Sequence, residues 1–523
     1  EGLGRDGKGQ KGEGEREDGS SATAPASGCG ARCCGKDADG RVGRIVSAGL
    51  FNFLSLGMTV IALAPLFNYV GSGGKTHDAN AAGQRLNGWS QSVNQFSTFL
   101  MACSWGELGD SAGRKPFMIS SSAGSVVFYA ACCSAVLFGA GSWLLLVASA
   151  LEGASSCFAS MAHASLCDVS NNDQRGPRLG LFQGIGVGGG FAMGVPIAAV
   201  LLVASDNDPL LPFVGAACVA ALNMLVFIPL AVPETLPPKA RRPVALRKMN
   251  PFKAVRVMRG RPLLILLAVA FMLVQAGLGG LQTTWINYAQ TAYDWGPPQN
   301  GVFFVLLGTI MSLASQLIIP RIGEDRAAML GAGMLAAAHA GIGLAPKTPT
   351  VGVVVLLALP VMFSGTIVFP ALLSMLARQA SADDQGVMQG VAETVRMVSA
   401  AWGGPAASAL FAASLDAHNG TSGGPPLGAV HLYIAALYLG ALACIWAALR
   451  FFGHLDGVDA QGRVVGTAAT DKSALAQRVR RASSIASMAA LSTGLISPTS
   501  REHAVGGGDD AALKPLPLDD ARV

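Results

Sequence analysis

Long apolar runs alternate with short polar stretches along this chain. The alternation predicts membrane-crossing helices at about 45–70, 89–108, 116–138, 143–167, 179–203, 210–232, 263–288, 300–320, 327–345, 350–377, 388–413 and 428–452. Each run approaches or exceeds the roughly 20 residues that a helix needs to cross a hydrocarbon core. A helix satisfies its own backbone groups, so it is an element a bilayer accepts. The runs fall into two sets of six, divided by the polar stretch 233–262. The expected fold is therefore all-α and integral to the membrane: twelve transmembrane helices in two pseudo-symmetric six-helix bundles, 43–232 and 263–453. Residues 1–42 and 454–523 hold almost no large apolar side chains and read as disordered cytosolic tails. The first apolar run begins near Ile45, too late and too long for a cleavable signal sequence, and is expected to stay as a span.

Composition sharpens this picture. Hydrophobic residues make up 51 % of the chain and charged residues only 13 %, against about 25 % charge in a soluble domain. Cations gather in the 233–262 stretch, at Lys239, Arg241, Arg242, Arg247, Lys248, Lys253, Arg256, Arg259 and Arg261, against the single acid Glu234. Loops of the same parity add Arg114, Lys115, Arg175, Arg178, Arg321, Arg326 and Arg378, whereas the opposite loops show Lys75, Arg85 and Lys347. Cations are retained in the cytosol, so both termini and the central loop are placed there. The sequon Asn419-Gly420-Thr421 then falls in an outer loop, as a glycosylation site must. Plasma membrane and vacuolar or other endomembranes both fit.

Ten cysteines are present. Most lie inside apolar runs, and no predicted outer loop holds a pair, so a disulfide framework is not indicated. Cys29, Cys33 and Cys34 supply three sulfurs without a fourth ligand, a poor zinc site. No nucleotide loop, metal-ligand spacing or nucleophile elbow is present. The expectation is a monomer that is not an enzyme, with no cofactor, no metal and no nucleic-acid partner.

Between the second and third runs lies Gly106-Glu107-Leu108-Gly109-Asp110-Ser111-Ala112-Gly113-Arg114-Lys115. The spacing G-x-x-x-D-x-x-G-R-K resembles the signature turn of the major facilitator superfamily of secondary transporters. Two sets of six spans joined by a basic loop match that family's plan, in which the halves rock about a midplane site. Pro233-Glu234-Thr235-Leu236 is similar to the sequence that closes its sixth span. The resemblance implies that Gly106, Gly109, Asp110, Gly113, Arg114 and Lys115 form a gate, with the Asp110 carboxylate meeting the N-terminus of span eleven, where a helix dipole favours an anion. Ser111 departs from the family, which usually has a cation there. Glu393 and Arg396, one turn apart in span eleven, are expected to pair and to join that latch. Gln385-Gly386-Val387-Met388-Gln389-Gly390, with Pro370 upstream and Gly404-Pro405 downstream, resembles the tetracycline-efflux and hippocampus-abundant-transcript branches. His163 to Asp168, followed by Arg175, resembles the span-four exit of the tetracycline-efflux and proton-coupled folate transporter branches.

Span four carries the most suggestive chemistry. At about 100° per residue, Ser149, Glu152, Ser156, Ser160 and His163 fall within an arc of about 80°. An ionisable group in a span costs several kcal/mol unless it meets a partner or a wet cavity, and is functional by default. Glu152 is thus the candidate for loading and releasing a proton, or else a structural acid bonded between helices. His163 is a candidate relay, since histidine titrates near neutrality, or a packing residue. In the family, spans one, four, seven and ten line the cavity. The substrate-cavity candidates are therefore Asn52, Ser55, Thr59, Ser149, Ser156, Ser160, Gln275 and Gln282, with Pro360 and Pro370 placed to break span ten. Gly184, Gly186, Gly190, Gly194 and Pro196 in span five predict close helix packing. Ser483, after Arg480-Arg481, is a candidate phosphorylation site.

The function expected from these features is secondary active transport of a small organic solute by alternating access, proton-coupled, as efflux antiport or symport. The competing expectation is a transporter-like sensor or scaffold that signals through its tails.

Overall fold

The structure, a computed structural model, describes residues 34–139, 141–170, 178–244, 258, 261–306, 321–344, 367–376, 385–420 and 423–452, with backbone alone at 34–39, 240 and 385–390. Eight helices among the described residues are long and apolar enough to cross a membrane. Several expectations fall outside the described residues: Ser483, Pro360, Cys29, Cys33, half of the basic loop, and large parts of spans eight and ten.

Helices α1 (Cys34–Val60) and α2 (Leu63–Gly71) together make the first predicted span. The split has a cause in Pro65, which lacks an N–H and whose ring clashes with the carbonyl four residues back. The Ala62 N–H turns back to the Thr59 carbonyl instead, at 3.0 Å. Helix α1 starts at Cys34, ahead of the boundary at 43 drawn from hydropathy. Helices α3 (Ala81–Ala112) and α4 (Lys115–Phe138) are the second and third spans.

The fourth run does not form one helix. It divides into α5 (Ser142–Ser155) and α6 (Phe158–Asp168), with Ser156 and Cys157 between them in non-helical conformation. Gly153, Ser155 and Ser156 favour the break, because short polar side chains compete for backbone bonds. The Ser155 hydroxyl donates to the Glu152 carbonyl at 2.9 Å. Span five opens with a π-helical stretch, Phe182–Gly189, before α7 (Gly190–Ala204). Its glycines hold the backbone weakly to α geometry, and π turns recur at functional sites. Helix α8 (Leu210–Leu222) leads into a π turn at Asn223–Phe227, next to Pro229. The second half contains α9 (Pro262–Tyr293), α10 (Glu324–Leu344), α11 (Gln385–His418) and α12 (Ala429–Phe452).

Close packing rests on small residues. A Cβ on Gly194 would stand 2.5 Å from the Leu54 carbonyl oxygen, and one on Gly190 2.7 Å from the Phe53 backbone, so α1 and α7 meet backbone to backbone. Gly186 packs against the Phe182 ring, Gly184 faces open space, and Pro196 lies within α7. In the second half a Cβ on Gly403 would reach within 2.5 Å of the Ala276 backbone, joining α9 to α11. The outer faces are apolar: Met193, Ile197, Val200 and Val203 line one side of α7, and Val200 is 68 % exposed. Such a stripe has no reason to avoid its surroundings when these are lipid tails.

Candidate functional site

Three polar constellations stand out against the apolar background. The first is the turn from α3 to α4. Gly113 adopts φ +108°, a conformation an L side chain rarely takes, and a Cβ there would meet the Glu234 carboxylate at 2.5 Å. Glu234 caps α4: Oε1 accepts from the Arg114 N–H at 2.9 Å, and Oε2 from the Lys115 N–H at 3.1 Å. A carboxylate at a helix N-terminus satisfies orphan donors and complements the dipole. Arg114 pairs with Asp110 at 2.6 Å and with Asp168, at the end of α6, at 3.4 Å. Lys115 Nζ donates to the Pro229 carbonyl at 2.7 Å. The turn's charges are thus satisfied within the first half. Among the described residues, no ion pair joins Asp110 or Arg114 to Glu393 or Arg396, which pair with each other. Replacing Glu234 with Ala removes the cap and is expected to cost about 1–2 kcal/mol of stability. Thermal unfolding in detergent checks this, and an unchanged melting temperature would deny the cap its role.

The second constellation surrounds Glu152. Asn94 of α3 donates its amide to the Glu152 carboxylate and to the Ser149 carbonyl, the latter at 3.3 Å. The Ser90 and Ser149 hydroxyls bond each other at 2.6 Å. Thr98 shares its hydroxyl proton between the carbonyls of Asn94 and Gly153, at 2.9 and 3.0 Å. Gly153 permits this contact, since a Cβ there would lie 2.1 Å from the Asn94 carbonyl oxygen. Tyr129 and Cys132 of α4 lie within electrostatic range of the carboxyl group. Glu152 therefore has a dedicated polar pocket among α3, α4 and α5.

Because the helix breaks after Ser155, the polar arc expected along span four is not continuous. Ser149 is buried against Ser90, whereas Ser156 and Ser160 are exposed beyond the break. His163 on α6 meets the Gln183 amide at 3.2 Å and the edge of Phe182, with ring centroids 5.1 Å apart. Glu393 of α11 acts on it electrostatically from the other half. Among the remaining cavity candidates, Ser55 and Thr59 are buried, their hydroxyls bonded to the carbonyls of Asn52 and Leu56 at 2.8 Å. Asn52 is half-buried, Gln275 buried and Gln282 exposed. Asn419 is exposed at the end of α11.

The third constellation joins the two halves, at the end of the bundles away from the α3–α4 turn. Asn68 of α2 and Asn287 of α9 exchange amide hydrogen bonds at 2.9 and 3.2 Å, and Asn287 donates to Gln84 of α3 at 2.7 Å. Gln84 donates to the Thr283 carbonyl and the Ser408 hydroxyl at 3.0 and 2.9 Å. All three carboxamides are at most 1 % exposed. Around them, Arg85 pairs with Asp416 at 2.6 Å, Asn87 donates to the Thr283 carbonyl at 2.9 Å, and Gln290 donates to Asp78 at 3.1 Å. Sequence reasoning missed this clamp, as it missed Asn94, Thr98 and Gln183. The available signal was the placement of carboxamides on otherwise apolar helices.

The family model of the Major Facilitator Superfamily matches residues 45–404. The class C tetracycline resistance protein of Escherichia coli is 28 % identical over 332 residues, covering 62 % of this chain and 79 % of that one. Human hippocampus abundant transcript-like protein 1 is 28 % identical over 327 residues, covering 60 % of each chain. Among solved structures, the human organic anion transporter MFSD10 aligns with a TM-score of 0.58 at 21 % identity, covering 78 % of this chain and 99 % of that one. A D-xylose–proton symporter aligns with a TM-score of 0.60 at 13 % identity, over 78 % and 97 %.

Proposed function

Because this chain belongs to the Major Facilitator Superfamily, we propose that it carries a small organic solute across its membrane by alternating access, coupled to protons through Glu152. Members of this superfamily are integral membrane transporters and not enzymes. The observation that carries the reading is an asymmetry, among the described residues, between the two ends of the bundles. At one end, buried carboxamides and an ion pair tie the halves together. At the signature-turn end, Arg114 and Asp110 bond within their own half. That pattern supports a transporter closed on the side of the clamp. With the cationic loops in the cytosol, the clamp faces outward and the state is inward-facing.

Glu152 supports proton coupling, because an acid held inside a span by a single amide donor is costly unless protonation is part of its work. The symporter named above is a proton-coupled neighbour of the same fold. The relatives' names cover a tetracycline, organic anions and a pentose, so the solute class stays at small organic molecules.

The test is flux in vesicles reconstituted with the purified protein under an imposed pH gradient, screening those three solute types. Gradient-dependent accumulation of at least one solute, reversing when the gradient is reversed, is expected. Flux with no response to the gradient would remove proton coupling. Flux of no solute above protein-free vesicles would remove the transport of these classes.

A further inference from the structure

The break in span four lies partway along a segment long and apolar enough to cross a membrane, Ser142–Asp168, where a backbone group turned to lipid finds no water. Its polar groups are nevertheless provided for, in part within the span, where Ser160 donates to the Cys157 carbonyl at 2.8 Å, and in part by two neighbouring helices. On the α5 side, the Gly153 carbonyl accepts from Thr98 at 3.0 Å and the Ala154 carbonyl from the Trp105 indole at 2.7 Å, both on α3. On the α6 side, the N–H groups of Cys157 and Phe158 both donate to one oxygen, the Ser121 hydroxyl of α4, at 3.2 Å each. Cys157 is the N-cap residue of α6 and supplies no capping bond itself. Ser121 is buried, at 5 % exposure. A cap delivered from another helix ties the start of α6 to α4, in place of the hydrogen bonds that an uninterrupted helix would supply from its preceding turn.

The far end of α6 is tied to the same region. Asp168 bonds Arg114 at 3.4 Å and the Thr235 hydroxyl at 3.1 Å, and Met161 packs where a Cβ on Gly109 would stand, 2.7 Å from its sulfur. Helix α6 is therefore fastened at its start to α4 and at its end to the α3–α4 turn. Helix α5, which carries Glu152, is hydrogen-bonded to α3 through Asn94, Thr98 and Trp105, and its last turn also packs against α4, where Gly124 leaves room for the Ser155 side chain. Only Ser156 and Cys157 connect the two pieces.

We infer that Ser121 is a positioning residue for transport: by capping α6 in trans it makes that helix a lever between the Glu152 pocket and the signature turn. A change at Glu152, transmitted through Asn94 to α3, displaces α3 against α4. The lever then shifts with α4, while the break absorbs the difference in two residues. His163 and its partner Gln183 ride on this motion. This inference rests on the transport reading above, but part of its test does not.

The test compares Ser121→Ala and Ser121→Thr with the parent protein in full-length form. Ala leaves two buried N–H groups without an acceptor, whereas Thr keeps the hydroxyl. In hydrogen–deuterium exchange, Ser121→Ala is expected to speed exchange of the 155–160 segment by about tenfold or more, with the 142–152 segment unaltered. In vesicles, its turnover number is expected to fall by about tenfold, the loss of one buried capping interaction, with the solute KM within about twofold. Ser121→Thr should restore both readouts. The double variant with Glu152→Gln should be no slower than the slower single variant, because both act on one step.

Accelerated exchange with unchanged turnover would overturn the lever and leave a purely structural cap. Unchanged exchange would show that the cap does not hold the break and would overturn it outright. A KM that rises alone, with turnover intact, would place Ser121 in solute binding and equally remove the lever. If the parent protein's flux ignores the pH gradient, proton coupling fails, while the exchange and turnover readouts still decide the role of Ser121.

Discussion

Glu152→Gln is expected to abolish the response of flux to a pH gradient while exchange of solute between compartments continues. The substitution keeps the shape of the side chain and a polar end for Asn94 to meet, but removes the carboxyl group proposed to take up and give off a proton. The local structure predicts tolerance. Asn94 donates to the Ser149 carbonyl as well as to Glu152, and the Ser90–Ser149 and Thr98–Gly153 contacts do not involve the carboxyl group. The fold should therefore survive, and the effect should appear as a loss of concentrative power. Accumulation driven by the gradient should drop to the level of protein-free vesicles, with counterflow of preloaded solute persisting. The decisive comparison is accumulation with and without the gradient in parent and variant. A variant that still concentrates solute would take Glu152 out of the coupling step.

The second large effect concerns the clamp. Asn287→Ala deletes the donor and acceptor that bind Asn68 at 2.9 and 3.2 Å and Gln84 at 2.7 Å. Each hydrogen bond contributes about 1 kcal/mol, and a buried group left without a partner costs about 1–3 kcal/mol. The closed clamp should lose on the order of 3–5 kcal/mol relative to an open one, in which water satisfies the freed amides. A change of that size moves a two-state population by roughly a hundredfold or more. Spin labels at Lys75→Cys and Asn419→Cys, in a background without reactive native cysteines, report the separation of the two halves at this end. The variant is expected to show a longer, newly dominant distance. An unmoved distribution in a folded variant would mean that the carboxamides do not set the state of the gate.

Some of this site is legible in the chain because it is local. The G-x-x-x-D-x-x-G-R-K spacing places Asp110 one turn before Arg114, and the structure pairs them at 2.6 Å. Glu393 and Arg396 lie three apart on one helix and pair likewise. Glu152 declares itself as an acid within an apolar run, whatever the fold around it. The resemblance to the tetracycline-efflux and hippocampus-abundant-transcript branches, read from short motifs, agrees with the relatives found.

What was illegible is of two kinds. The first is local geometry decided by small preferences. The arc from Ser149 to His163 assumes an uninterrupted helix, and a pair of serines after a glycine was enough, with partners at hand, to break it. Nothing in residues 149–163 alone says that Thr98, Trp105 and Ser121 stand ready to receive the freed groups. The second is contact between residues far apart in sequence. Asn68 and Asn287 are separated by 219 positions, and hydrophobic periodicity cannot say which carboxamide faces which.

The chain by itself determined the architecture: apolar runs long enough to span, short charged turns between them, and a division into two sets of six. Those follow from the cost of exposing polar backbone to lipid, which acts on each segment separately. Tertiary structure decided how the polar side chains inside the membrane are satisfied: Asn94 on Glu152, Ser121 on the start of α6, and the carboxamides across the two halves. In lipid, where apolar contact alone discriminates weakly between partners, such pairings depend on the positions of several helices at once.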